Sequence, residues 1–199
     1  MRRPYDSVAE SQGADLNAGV GATHASPSSP AIATASRRTV LFDVETLRSA
    51  EEVGGWQNAD RMGLAIGVVC FLEEGRLEAY GEDRAWELLQ ALRSADLVIG
   101  FNSLRFDYKV LAGYSGGRFG EGLPSLDLLD EIKGRLGYRV GLDHLAKETL
   151  GVSKSADGLV SLGWVKEGRL DLVEAYCKKD VEILRDLYLH GRDVGFVRV

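Results

Sequence analysis

Thr39-Val-Leu-Phe-Asp43-Val-Glu45-Thr46 decides how this chain is read. It is apolar enough for a buried strand, yet it carries two acids. Side chains two apart on a strand share a face. Asp43 and Glu45 therefore point the same way, with Leu41 beside them, while Val40, Phe42 and Val44 fill the opposite face. A buried carboxylate normally neutralises or finds a cation, and two side by side repel unless a cation bridges them. An edge strand with one wet face would also tolerate the pair. The flanking Val, Leu and Phe weaken that reading.

On either side of this strand the pattern is that of one α/β domain. Two apolar runs, 62–72 and 77–80, are joined by Glu73-Glu74-Gly75-Arg76, a hairpin turn. Asp83 suits the N-cap of a helix through Arg93 with Trp86, Leu89 and Leu92 on one face. Leu97 to Asn102 is a further strand, followed by a helix over 104–114 that stops at Gly116-Gly117, with Asn102 or Ser103 as its cap. A short apolar run, 126–132, precedes a helix at 142–150 closed by Gly151, and the last helix runs from Leu170 to His190. Strands come first as a meander and then alternate with helices. The expected architecture is a mixed sheet of five to six strands flanked by helices, spanning residues 37–199.

Two more acids stand in apolar company. Asp107 follows Gly100-Phe-Asn102-Ser-Leu-Arg-Phe, where a strand leaves its sheet for a helix, a place where functional groups of α/β folds collect. As an acid in the first helical turn it would equally serve the helix dipole. Asp180 lies mid-stripe among Val173, Tyr176, Cys177, Val181, Leu184 and Leu187, and Tyr176, four residues earlier, shares its face. Carboxylates without His or Cys partners suit Mg²⁺ or Mn²⁺. Two such ions about 4 Å apart are typical of phosphoryl-transfer sites.

These residues resemble the DEDD superfamily of 3′–5′ exonucleases, built on the ribonuclease H-like fold. Phe42-Asp43-Val-Glu45-Thr46 resembles its Asp-x-Glu motif, Asn102 to Asp107 its Asn-x(4)-Asp motif, and Tyr176-Cys-Lys-Lys-Asp180 the Tyr-x(3)-Asp motif of the tyrosine (DEDDy) subclass. The sister subclass has His five residues before the last Asp, where this chain has Ala175. The resemblance covers about residues 39–190, and Leu142-Asp-His-Leu-Ala146 with Leu150, Gly151 and Lys154 is similar to a segment of polymerase-type proofreading domains. It implies that Asp43, Glu45 and Asp180 hold a catalytic metal, that Asp43 bridges to a second, and that Asp107 assists through water. It further implies that Tyr176 positions the attacking water, with release of nucleoside 5′-monophosphates. Thr46, Asn102 and Lys154, within the matching segments, are expected substrate contacts. Trp56, in Gly54-Gly55-Trp56, is a base-stacking candidate in the loop after the first strand, or else a buried anchor for that loop. Asp127 resembles an acid often near such sites, and a strand-end cap is at least as good a role for it.

Bulk composition bounds the rest. At 199 residues the chain suits one sizeable core. Residues 1–36, rich in Ala, Ser, Gly, Thr and Pro without period, are expected to be a disordered tail. No apolar stretch approaches bilayer length, and the start reads as neither a secretory signal nor a transit peptide. Cys70 and Cys177 make no disulfide framework, which suits buried thiols in a cytoplasmic protein. A net charge of −6 gives no general affinity for nucleic acid. Lys133, Arg135, Arg139, Lys147 and Lys154 nevertheless concentrate positive charge where a strand's phosphates could cross. The expected partner is a single-stranded 3′ end of DNA or RNA, not a membrane. Processive action would call for a protein partner or a homo-oligomer. The chief rival is a catalytically weak or inactive binding module on the same fold, against which the retained, mutually repelling acids count. A ribonuclease H-type endonuclease is the lesser rival, since the Tyr-x(3)-Asp pair is an exonuclease feature.

Overall fold

The computed structural model describes residues 37–152 and 158–199. The expected tail and the expected contact Lys154 lie outside the described residues. The acid-bearing segment is β1 (Thr39–Thr46). The hairpin is β2 (Leu64–Phe71) and β3 (Arg76–Gly81), and β4 (Leu97–Gly100) and β5 (Ser125–Asp127) complete the sheet. The order β3-β2-β1-β4-β5 puts β1 in the middle. It runs antiparallel to β2, with Asp43 opposite Val68 and Glu45 opposite Ile66, and parallel to β4.

The two faces of β1 divide as its period of two requires. Val40, Phe42 and Val44 pack with α1 (Ala85–Arg93) and α2 (Asp107–Ala112). Leu41 packs on the other face with Val68, Ile99 and the stripe Val173, Cys177, Val181 and Leu184 of α6 (Leu170–Val194). Between β5 and α6 come α3 (Leu128–Leu136), α4 (Leu142–Leu150) and α5 (Gly158–Lys166). Val140, Leu145 and Ala146 seal the far side of α6 at Ile183 and Leu187. Each fully buried Leu, Val or Phe contributes about 1.5–3 kcal/mol, so β1 and α6 are the best-anchored elements of the fold. Among the described residues no helix is long and apolar enough to cross a membrane.

Several local expectations need correction. Leu89 and Leu92 of α1 are buried as expected, but Trp86 is 60% exposed and Ala85 and Leu88 complete the buried face. At 100° per residue Trp86 falls beside that stripe, where its ring lies 5.5 Å from the Arg93 guanidinium carbon. Asp83 is no cap: a short 3₁₀ turn over Glu82–Arg84 precedes α1, whose first residue has no side-chain cap. Nor do the Asn102 and Ser103 side chains cap a helix. Their carbonyls accept from Phe106 and Tyr108 in a backbone turn, and α2 starts only at Asp107. β4 correspondingly stops at Gly100, because Asn102 takes a left-handed backbone (φ 64°) that no strand accommodates. The run 126–132 divides between β5 and α3, α5 was not expected, and α6 continues past His190 to Val194.

Candidate metal centre

β1 pairs with β4 only from Thr39 to Leu41, so the acids lie beyond the end of their parallel neighbour. There the chain turns away at Asn102, and a cleft of about 870 Å³ opens. Asp43 and Glu45 line it from β1, Tyr176 and Asp180 from α6. Carboxylate oxygens of Asp43, Glu45 and Asp180 lie within 4.8 Å of one another. Oxygens on opposite sides of one divalent ion are about 4–5 Å apart, so the spacing fits an ion held by all three. The donors are hard oxygens, which favour Mg²⁺, Mn²⁺ or Ca²⁺ over softer metals. Asp43 and Glu45 are half-buried and Asp180 is buried, which places the group at the floor of the cleft.

The surrounding groups brace these acids. Ser161 of α5, 1% exposed, donates its hydroxyl to Glu45 Oε2 at 2.5 Å. Cys177, on the stripe beside Tyr176, donates its thiol to the Asp43 carbonyl at 3.4 Å and to its carboxylate at 3.6 Å. Burial, with Asp43, Glu45 and Asp180 nearby, pushes that thiol well above its ordinary pKa. It is thus a protonated donor rather than a thiolate ligand. Asp107 stands outside the three-acid group. Its Oδ1 accepts the Val44 N–H at 3.1 Å, the strand amide between the two β1 acids. Burial above all, with lesser contributions from the Glu45 and Asp127 carboxylates, pushes its pKa up to about 7.

The remaining expected residues divide by position. Tyr176 is buried at the cleft wall, its ring 6.2 Å from Trp164 of α5 and edge-on to it. Thr46 also lines the cleft, but its hydroxyl closes the turn after β1 by donating to the Arg48 carbonyl at 3.0 Å. Trp56 is 68% exposed on the cleft rim, edge-on to Phe106 at 5.7 Å, so it is no buried loop anchor. Asn102 lines the cleft and accepts from Arg139 Nη2 at 2.9 Å. Asp127 is structural: its carboxylate accepts from Leu129 and Asp130 to cap α3, and from Asn102 and Leu104 to hold the turn after β4. Lys133, Arg135 and Lys147 line no part of the cleft, whereas Arg139 does.

Sequence reasoning missed Ser161 and gave Cys177 only a packing role. The residues of α5, Gly158-Leu-Val-Ser161-Leu-Gly-Trp164-Val-Lys166, are apolar on every side. No stripe marks either the helix or its one hydroxyl. A cysteine on an apolar stripe is indistinguishable from a packing residue until β1 is laid against it.

No protein-family model matches this sequence, and no curated protein matches it. Among solved structures it is similar to a family B DNA polymerase from the hyperthermophilic archaeon Pyrobaculum calidifontis. The TM-score is 0.60 at 17% identity, over 78% of this chain and 24% of that one. The chain therefore spans about a quarter of the polymerase's length. Likeness at this identity establishes fold alone, and the fold is the expected ribonuclease H-like mixed sheet flanked by helices.

Proposed function

We propose that this chain is a metal-dependent 3′–5′ exonuclease of the tyrosine subclass, acting on single-stranded ends of DNA or RNA. One observation carries the reading: carboxylate oxygens of Asp43, Glu45 and Asp180 converge within 4.8 Å at the floor of an open cleft. Such a cluster is destabilising in itself. A module that only binds a polyanion has no use for it. Polarity and subclass come from the resemblance of the three motifs, and the likeness to part of a DNA polymerase agrees with a nucleic-acid substrate.

Within this reading each residue has a task. Asp43, Glu45 and Asp180 hold the metal, with Asp107 assisting through water. Bound divalent ions would activate a water and stabilise the leaving oxygen of a phosphodiester. Ser161 fixes the carboxylate of Glu45 and Cys177 that of Asp43, so neither has to reorganise when substrate arrives. The Tyr176 hydroxyl holds the attacking water, and Trp164 keeps its ring in place. Trp56, exposed on the rim, offers a flat face on which a terminal base stacks.

The decisive experiment offers labelled single- and double-stranded DNA and RNA, blocked at either end, with Mg²⁺, Mn²⁺ or EDTA. The expected products are 5′-mononucleotides released from unblocked 3′ ends, none with EDTA, and none with Asp43→Ala or Asp180→Ala. Tyr176→Phe should slow cleavage on the order of 10²-fold with metal and strand binding retained. Metal-independent degradation, or an Asp180→Ala protein as active as its parent, would sink the proposal. Tight strand binding with no cleavage under any condition would support the binding module instead.

A further inference from the structure

Arg139 is the one basic side chain among the described residues that lines the cleft, whose other charged lining is Asp43, Glu45, Glu51 and Asp180. An exposed guanidinium among carboxylates would be expected to pair with one. Instead its hydrogen-bond partner is the neutral amide oxygen of Asn102, 2.9 Å from Nη2. Asn102 is itself unusual, being the one non-glycine with positive φ among the described residues. Asn adopts that backbone more readily than most residues, but it persists only where the surroundings impose it. Here Asp127, 3% exposed, imposes it by accepting the Asn102 N–H at 2.9 Å and the Leu104 N–H at 3.1 Å. The chain thus holds a strained turn rigid, and that turn orients the cation. A guanidinium has five N–H donors in a planar fork, and Asn102 engages one nitrogen of it. The remaining edge keeps the geometry that grips a phosphate through two parallel bonds.

We propose that Arg139, oriented by Asn102, binds an internucleotide phosphate other than the one being cut, making the site selective for polymers over mononucleotide esters. This deepens the nuclease reading and rests on it. The acids, with their metal, serve the scissile phosphate, whereas Arg139 serves the strand behind it. Arg139 is a substrate-binding residue, and Asn102 acts through it.

The test has a binding arm and a cleavage arm. Binding of a short fluorescent oligothymidylate is measured with Ca²⁺ over a range of salt. Arg139→Ala should weaken it roughly tenfold, as expected for one charge-assisted contact, and make the salt slope shallower by about 0.7, one phosphate on a single strand. Arg139→Lys should keep the slope and recover part of the affinity. Asn102→Ala should lose affinity with the slope kept, because the charge remains. In the cleavage arm, kcat/KM of Arg139→Ala should fall at least about tenfold more on the oligonucleotide than on thymidine 5′-p-nitrophenyl phosphate, which has no second phosphate. Unchanged slope and affinity in Arg139→Ala, or equal losses on both substrates, overturns the proposal. A parent protein that cuts neither substrate defeats the nuclease reading, and the binding arm alone then decides the phosphate contact.

Discussion

Asp107 shows at the scale of one residue how the fold decides a protonation state. In the unfolded chain it is an ordinary aspartate, with a pKa of about 3.9. In the folded protein, burial beside Glu45 and Asp127 pushes it up to about 7. The folded form therefore binds the proton more tightly than the unfolded form does. The stability this group contributes is complete below about pH 4 and is lost as pH rises through about 7. Urea midpoints in EDTA should fall across that window, and Asp107→Asn should flatten the fall. A parent midpoint that rises from pH 4 to 7 while the variant's stays level would contradict this. Three of the four motif acids were legible because each breaks a period: Asp43 and Glu45 interrupt an apolar strand, and Asp180 interrupts an apolar stripe, whereas Asp107 was marked by the strand-to-helix exit it follows. Ser161 and Cys177 break none. Their importance lies in which backbone comes to face them, which is tertiary information.

At the scale of elements, legibility followed the strength of the pattern. β1 and α6 have one clean period each and were readable, and the β2–β3 hairpin was readable from two apolar runs about a polar turn. The turn from β4 into α2 was misread because Asp127, twenty-five residues downstream of Asn102, supplies the hydrogen bonds that a local cap would have given. For α5, a helix apolar all round gives no phase, and its packing against α6 decides its place. That placement matters, because α5 delivers the Ser161 hydroxyl to Glu45. Ser161→Ala should lower kcat about tenfold with KM for an oligonucleotide little changed, since a bond to a charged group is removed but no substrate contact is. The same change should speed amide hydrogen exchange across α5. Unaltered kcat and exchange would show that Ser161 is only a packed residue.

At the scale of the whole molecule, the site is a debt that the rest of the fold carries. Three converging carboxylates oppose folding, while both faces of the sheet and the α4–α6 seam supply the apolar burial that outweighs them. A bound divalent ion should convert this repulsion into stability. At about one hundred times its dissociation constant a ligand adds about 2.7 kcal/mol, which for a domain of this size is a rise of about 5–10 °C in Tm. Differential scanning fluorimetry with Mg²⁺ or Mn²⁺ against EDTA should show that rise, and Asp180→Asn should reduce it. Equal Tm values in metal and EDTA would mean that the acids hold no ion.

The two walls of the cleft differ in how they can let go. α6 is a rod of 25 residues, about 37 Å long, pinned to β1 and β2 on one side and to α4 on the other. Packed on both sides, it belongs to the high end of the local unfolding scale. α5 has nine residues, packs chiefly on α6, and presents Val160, Gly163 and Lys166 to solvent. Its opening belongs to the low end of the local unfolding scale. The amides of α5 should therefore exchange before those of α6, with the brace on Glu45 opening ahead of the helix that carries Asp180.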